Sequence, residues 1–227
     1  MAFPLTHMLV AEKVLEKLIL PSPEQFILGS IAPDAVHYRK SVKNDPRGEL
    51  GSLKKITHLC PTSEERWGYI TDNDGWGVCV EKFLEKHPND SLYTGYAMHV
   101  LTDMLNNKLL WYNFRTKHPE EAAKGYTSDY YKDLSCIDFK LYNDFANGGN
   151  ILTLLEKAEP QDIPGLVTSH ELGAIQNNLL HVQYANAFKD VDTTSCTYVT
   201  YEQILKFSNL AANYCANILS ELTRLKE

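Results

Sequence analysis

A histidine and an aspartate stand four residues apart in the apolar segment SLYTGYAMHVLTDMLNNKLLW, residues 91–111. At about 100° per residue, His99 and Asp103 fall on one face of a helix, in a stripe that also contains Tyr96 and Asn106. Polar side chains on a helix this apolar need partners, because burying them unsatisfied is costly. The pair could bind one metal ion or could hydrogen-bond to its neighbours, and the spacing alone does not choose between these.

Other apolar segments carry residues with the same chemistry. They are His7 in LTHML, Asp34 and His37 in SIAPDAVH, and His58 in KKITHLC. Each of them alone fits a core histidine or a helix-opening aspartate. As a set, imidazoles and carboxylates are good ligands for Zn²⁺ and other first-row divalent ions. The sequence therefore favours a metal site formed by members of this set together with the His99–Asp103 pair.

Cationic residues near this set could contact an anionic substrate. Arg39 directly follows the turn that carries Asp34 and His37, from where it could reach a metal-bound phosphate. His37 could serve as a ligand, a phosphate contact or a proton donor. Lys54 and Lys55 are also close in the sequence, but a solvent-exposed face is the default expectation for lysines. The predicted catalytic residues are Asp34, His37 and Arg39.

Four segments, in their order along the chain, resemble the zinc-dependent phospholipase C family. They are PLTHMLVAEKVL, FILGSIAPDAVH, KKITHLC and GYAMHVLTD, within residues 3–112. The resemblance is to the short bacterial members without a signal peptide, which are related to the secreted zinc nucleases. It implies a compact all-α bundle with the metals in a cleft between helices.

The resemblance also implies a division of the ligands. Asp34, His58, His99 and Asp103 match the family's ligands for a first zinc. His7 matches the histidine of a further zinc, for which Asp103 would be the bridging ligand. In the secreted enzymes this further zinc also uses the amino terminus of a mature tryptophan, whereas this chain begins Met-Ala-Phe.

The family's remaining zinc site lacks its ligands here. Its histidine would stand six residues after Asp103, where this chain has Leu109. The later H-x-x-x-E or H-x-x-x-D pair is also missing, since His118, His170 and His181 are each followed four residues on by alanine. We therefore expect one or two ions, with zinc favoured and manganese or iron as alternatives.

These observations predict a metal-dependent hydrolase, in particular a phosphoesterase acting on a small phosphorylated substrate. The ion would polarise a phosphoryl oxygen and lower the pKa of a bound water towards ~7. Asp34 would ligate the ion and orient or deprotonate that water. One alternative is a non-catalytic helical protein with a structural metal or a ligand-binding role. Another is an HD-type phosphohydrolase, although the chain contains no His-Asp dipeptide.

Periodicity favours one all-α domain over residues 1–227, and a hydrophobic content of 44% suffices for a core. Apolar spacing predicts a first helix that ends before Pro21. Further helices are predicted near 78–87, 90–114, 128–145, 150–158, 168–189 and 200–225. Residues 41–54 are predicted to form a loop, residues 71–77 a turn, and CTYVTY at 196–201 a short strand.

Charge and composition exclude several classes of partner. The net charge is -7 without a basic run, which argues against long nucleic acids and anionic membranes as partners. No apolar stretch approaches the ~20 residues of a transmembrane segment, and the first residues lack signal-peptide features. Five scattered cysteines without a Cys-x-x-Cys motif favour reduced thiols. We expect a cytoplasmic protein, and no sequence feature indicates its oligomeric state.

Overall fold

The fold is all-α, as the periodicity predicted. The computed structural model describes residues 3–44, 49–61, 68–147, 149–185 and 190–224. Within these ranges the extended structure is limited to an isolated bridge between Ile163 and Val167. The α-helices are α1 (Pro4–Leu15), α2 (Pro23–Gly29), α3 (Lys40–Asn44), α4 (Glu49–Thr57), α5 (Asn73–Glu85), α6 (Ser91–Asn106), α7 (Tyr112–Lys117), α8 (Pro119–Ala123), α9 (Asp129–Leu141), α10 (Asn150–Lys157), α11 (Ser169–His181) and α12 (Tyr201–Arg224). Two 3-10 helices (Ala32–Tyr38 and Gly125–Thr127) and two π-helical turns (Asn107–Trp111 and Tyr142–Ala146) complete the list.

Helix α6 is the central element of the bundle. It packs against α1, α2, α5 and α12, and its side chains are buried except for those of Tyr93 and Leu105. A helix that is apolar on all sides is expected to be enclosed by its neighbours. Asp90 begins it, because its carboxylate accepts the N–H groups of Leu92 and Tyr93 at 2.9 and 3.3 Å.

Helices α2 and α6 approach each other through two facing glycines. A Cβ atom on Gly95 would lie 2.1 Å from the carbonyl oxygen of Phe26, and one on Gly29 would lie 2.2 Å from that of Leu92. Neither position can hold a larger residue without moving a backbone. This contact fixes the distance between α6 and Ser30, which directly follows α2.

The second half of the chain holds the first helix in place. Helix α12 packs against α1 and α6, and α11 packs against the 3-10 helix Ala32–Tyr38. On α9, the buried carboxylate of Asp138 accepts the N–H of Leu5 in the first turn of α1 at 3.0 Å. The hydroxyl of Tyr184 donates to the other oxygen of Asp138. Helix α1 is therefore positioned by tertiary contacts at its first turn.

Two segments predicted as irregular are helical instead. The predicted loop at 41–54 forms most of α3 and the larger part of α4, while its residues 45–48 lie outside the described ranges. The predicted turn at 71–77 was wrong because Asp72 acts as a helix cap. Its carboxylate accepts the N–H of Gly75 at 2.8 Å, so α5 begins at Asn73.

The short strand predicted at 196–201 was also wrong. Asp133 on α9 explains why, because one of its carboxylate oxygens accepts three consecutive backbone N–H groups of this segment. The donors are Thr197, Tyr198 and Val199, at 2.9, 2.7 and 3.3 Å. These N–H groups therefore donate to a carboxylate, whereas in a strand they would donate to backbone carbonyls of a neighbouring strand. The segment is a loop tied to α9.

The long predicted helices are present with shifted ends. The one expected at 90–114 is α6, a π-helical turn and α7, and the one expected at 168–189 ends at His181. Residues 186–189 of the latter prediction lie outside the described part of the chain. Among the helices within that part, none combines the length and apolar character needed to cross a membrane.

Candidate metal site

The five predicted ligands lie together where α1, α4, α6 and the 3-10 helix Ala32–Tyr38 meet. They form two groups of three, and the donor atoms of each group lie within 4.8 Å of one another. One group contains His7, His99 and Asp103, and the other contains Asp34, His58 and His99. The two groups therefore share His99, the histidine in the middle of the central helix.

Backbone carbonyls orient His58 and His99. Nδ1 of His58 lies 2.9 Å from the carbonyl oxygen of Lys54, and Nδ1 of His99 lies 2.7 Å from that of Ser30. Since a carbonyl can only accept, each Nδ1 carries the proton and each Nε2 presents a lone pair. A hydrogen bond of this kind is the usual way in which a protein directs a metal-binding histidine.

Both of these histidines are neutral at pH 7. Burial, then the positive charge of Lys54, holds the pKa of His58 well below its ordinary value. Burial, then the neighbouring His7, lowers the pKa of His99 to about 4. Neutral imidazole is the form that binds metals, so the site favours the ligand form of both rings.

The donor atoms are spaced as ligands of a common ion would be. The Nε2 atoms of His58 and His99 are 3.3 Å apart. Nε2 of His58 also lies 3.6 Å from Oδ1 of Asp34 and 3.6 Å from Oδ2 of Asp103. Charge-assisted hydrogen bonds are shorter, about 2.7–2.9 Å. A tetrahedral ion with bonds of about 2.0–2.2 Å has ligands about 3.3–3.6 Å apart, which fits these separations.

His7 approaches the same site from α1. Its fully buried ring stacks on that of His99, with ring centres 3.7 Å apart and planes 6° apart. Its Nε2 lies 3.4 Å from Oδ1 of Asp103, and neither of its ring nitrogens makes an aligned hydrogen bond. The buried amide of Asn106, one turn further along α6, also makes none. Buried polar groups are almost always satisfied, so these atoms fit a bound ion or ordered water.

Both aspartates of the cluster are ionised. Burial acts to raise the pKa of Asp103, but His7 and then His99 bring that pKa below its ordinary value. Burial likewise acts to raise the pKa of Asp34, but Lys54, then His99 and His58, hold that pKa well below its ordinary value. The carboxylate of Asp34 therefore lies within 4.8 Å of the donor nitrogens of His58 and His99, and that of Asp103 lies within 4.8 Å of those of His7 and His99. Mixed nitrogen and carboxylate donors of this kind suit a first-row divalent ion.

Lys54 is buried beside the predicted ligands, which corrects the expectation of a solvent-exposed lysine. Its side chain is 1% exposed, and its Nζ lies 2.8 Å from Oδ1 of Asp34. Lys54 lies on α4 four residues before His58, which directly follows the helix and donates its N–H to the carbonyl of Lys54 at 2.8 Å, so both side chains project to the same side. This spacing was a signal that sequence reasoning missed, because the segment up to Lys54 was expected to be a loop.

The other two predicted catalytic residues are placed differently from each other. Nε2 of His37 lies 3.7 Å from Oδ1 of Asp34, and burial, then Lys54, lowers the pKa of His37 to about 4. Arg39, by contrast, forms a two-pronged ion pair with Glu171 on α11, at 2.7 and 3.2 Å, and donates to the carbonyl of Leu166 at 2.6 Å. The structure thus brings His37 to the cluster and directs Arg39 to α11.

A cleft of about 210 Å³ opens onto one side of the cluster. Asp34, His37 and Lys54 line it where it meets the proposed ligands, and its walls are largely aromatic or apolar. The wall residues are Phe3, Pro4, Tyr38, Tyr126, Tyr131, Ile175, Asn178, Leu179 and Gln183. Tyr96, by contrast, is buried in the core, where its hydroxyl donates to the carbonyl of Thr57. The cleft therefore reaches the cluster from the Asp34 side.

No protein-family model, curated protein or solved structure matches the chain. Its function is therefore inferred from the geometry and chemistry of this site.

Proposed function

We propose that the protein is a metal-dependent hydrolase of small phosphoric esters. The observation that carries this proposal is the spacing of the donor atoms next to an open cleft. Nε2 of the neutral His58 lies 3.3 Å from Nε2 of the neutral His99 and 3.6 Å from a carboxylate oxygen of each of Asp34 and Asp103. The motif order that resembles the zinc-dependent phospholipase C family supports the same chemistry. Mixed nitrogen and oxygen donors favour zinc, and they also accept manganese or iron.

Following the resemblance, Asp34, His58, His99 and Asp103 would hold the principal ion, and His7 with Asp103 would offer ligands to a further ion. The spacing in the structure groups the donors differently, with His99 in place of Asp103 as the residue common to both groups. A bound divalent ion supplies Lewis acidity towards a phosphoryl oxygen and towards water.

Residues at the mouth of the site supply the proton chemistry. Asp34 reaches the cleft with a side chain that is 15% exposed, and its carboxylate can orient water that enters there. The imidazole of His37 faces the same cleft, with Nε2 3.7 Å from Oδ1 of Asp34, so it is placed to accept a proton from that water and release it to solvent. The aromatic walls would exclude bulk water from the bound ester.

A structural or ligand-binding role for the ion is the second candidate. The observation that favours it is the complete burial of His7, His58 and His99. Enclosed sites are typical of structural metals, whereas a catalytic metal keeps an open position. The two candidates therefore differ in whether a substrate can reach the ion from the cleft.

Metal analysis combined with a hydrolysis screen tests the proposal. Protein purified without added metal is expected to contain one or two zinc, manganese or iron ions per chain. It should hydrolyse at least one generic phosphomonoester or phosphodiester, and EDTA should abolish this activity until Zn²⁺ or Mn²⁺ is restored. Metal at a thousand times its Kd stabilises the folded state by about 4 kcal/mol, so EDTA should lower Tm by about 8–16 °C.

Substitutions then connect the activity to this site. Asp103→Asn and His99→Ala should each lose most of the metal content, the hydrolysis and the response of Tm to EDTA. His181→Ala is the control, because His181 is exposed at the end of α11, and it should behave as wild type. Metal binding without turnover in a broad screen would favour the structural candidate. Activity that survives complete metal removal and also survives Asp103→Asn would refute the hydrolase candidate and the structural candidate alike.

A further inference from the structure

The lysine beside the proposed ligands is costly to bury and is placed at the inner end of the cleft. The side chain of Lys54 is 1% exposed, and moving an ammonium group out of water costs several kcal/mol before any pairing. Its ion pair with Asp34 offsets part of this cost. An apolar side chain of the same length would fill the space without that cost, which indicates that the charge has a use.

The position of Lys54 suggests that use. It lines the cleft together with Asp34 and His37, and no arginine and no other lysine is found among the cleft-lining residues that the structure describes. An anion that enters the cleft therefore meets Lys54 next to the ligand cluster. Arg39, which the sequence had favoured for this task, is paired with Glu171 at 2.7 Å.

The charges at the inner end of the cleft point to the same conclusion. Histidine ligands are neutral when they bind metal. The carboxylates of Asp34 and Asp103 would then cancel the charge of one divalent ion. Lys54 adds the charge that makes a one-ion site positive overall, and a positive, partly dehydrated site attracts an oxyanion strongly.

We propose that Lys54 is the oxyanion-binding residue of this site and donates to a phosphoryl oxygen of the substrate beside the proposed metal position. The inference rests on the proposed function for its substrate class, while phosphate binding itself can be measured separately. Lys54 thereby supplies a positive charge that a second metal ion would supply in a two-ion site. Tyr126 and Tyr131, which line the same cleft, would pack against the group esterified to the phosphate.

The size of the cleft limits what that group can be. Its volume of about 210 Å³ is below the roughly 300–1,000 Å³ that holds a drug-sized molecule. The proposed ligand is therefore a phosphoric ester with a small organic group, bound with its phosphate innermost.

Titration of inorganic phosphate into zinc-loaded protein, followed by calorimetry, tests the inference. Lys54→Met keeps the length of the side chain and removes its charge. It should weaken phosphate binding about 10–100-fold, as expected for a lost charge-assisted hydrogen bond, while the zinc content stays that of wild type. Lys55→Met is the matched control, since it removes the same charge from the next position of α4, and it should bind phosphate within twofold of wild type.

A measurement on the wild-type chain covers the case in which Lys54→Met does not fold. In protein labelled with ¹⁵N-lysine, the Nζ signal of Lys54 should shift when phosphate is added, and that of Lys55 should not. An unshifted Lys54 signal in phosphate-saturated protein would overturn the inference. So would a wild-type chain that binds no phosphate, or loss of phosphate binding in Arg39→Met with retention in Lys54→Met.

The outcomes also separate this inference from the proposed function. Phosphate binding that depends on Lys54, without hydrolysis of any ester, supports the oxyanion site and counts against the hydrolase. Hydrolysis with an unchanged phosphate affinity and an unchanged kcat/KM in Lys54→Met supports the hydrolase and overturns the role of Lys54.

Discussion

Gly95→Ala is expected both to destabilise the protein and to weaken binding at the proposed metal site. The added Cβ would lie 2.1 Å from the carbonyl oxygen of Phe26, where van der Waals contact requires about 3.2 Å. Because the opposing atom belongs to the backbone, no rotamer change relieves the clash, and α2 has to retreat by about 1 Å. Ser30 moves with α2. In the wild-type structure the carbonyl oxygen of Ser30 lies 2.7 Å from Nδ1 of His99. A retreat of about 1 Å would lengthen this distance beyond the hydrogen-bond range of about 3.2 Å.

The size of the effect follows from two opposing contributions. Overpacking against backbone costs about 3 kcal/mol, the upper end of the usual range, whereas alanine gains about 1 kcal/mol of helix propensity over glycine. The net loss of about 2 kcal/mol should lower Tm by about 4–8 °C in a chain of this size. Loss of the bond that orients a ligand histidine should weaken metal binding about 10–100-fold.

Gly51→Ala is the matched control for this prediction. Gly51 is also inside a helix, α4, but a Cβ there would meet no atom within 4 Å. The same substitution should therefore raise stability by up to about 1 kcal/mol. Thermal unfolding of both variants with and without EDTA, and competition with a metal indicator, measure both effects. Shifts of Tm in the same direction for the two variants, or wild-type metal affinity in Gly95→Ala, would refute the reasoning.

Two further predictions concern a titratable carboxyl group and an ion pair, both away from the proposed ligands. Burial, opposed by the hydrogen bonds from Tyr184 and from the N–H of Leu5, raises the pKa of Asp138 to about 7. Because the folded pKa exceeds the unfolded value of about 3.9, this group makes the protein less stable as pH rises from 4 to 7. Asp138→Asn removes that dependence, so its stability relative to wild type should rise by about 3 kcal/mol between pH 5 and pH 8. Chemical denaturation at both pH values measures this difference, and a difference that does not change with pH would contradict the raised pKa. Arg39→Met should cost about 1–3 kcal/mol of stability, because it leaves the carboxylate of Glu171 without its charged partner. The kcat/KM of Arg39→Met for any ester found in the screen should stay within about threefold of wild type. A loss of about tenfold or more would indicate that Arg39 contributes to catalysis after all.

Helical periodicity was sufficient to predict the fold class and the central pair of the site. His99 and Asp103 share a face at any phase of α6, so their convergence required only that the segment be a helix. The meeting of Asp34 and His58 with this pair depends on tertiary packing. The residues lie on separate elements, and the resemblance to a known motif order, not the spacing, suggested that they meet.

Two of the errors arose where one distant side chain decided the outcome. Asp133 holds residues 197–199 as a loop, although their alternation is that of a strand. Glu171 lies 132 residues after Arg39 and determines where its guanidinium points. Lys54 could have been found from its spacing to His58, had the preceding segment been recognised as a helix. Local pattern therefore located the long helices, and long-range partners determined which side chains reach the cleft.

The cleft is lined by several separate parts of the chain, and this has a consequence for how its selectivity can change. Asp34, His37 and Lys54 line it next to the proposed ligands, whereas Ile175, Asn178 and Leu179 belong to its wall. These three wall residues share one face of α11, at positions i, i+3 and i+4. A library confined to that face could exchange the recognised organic group while leaving every proposed ligand in place. Mutational drift along one helix could do the same in nature, so chains with an identical set of ligands need not share a substrate.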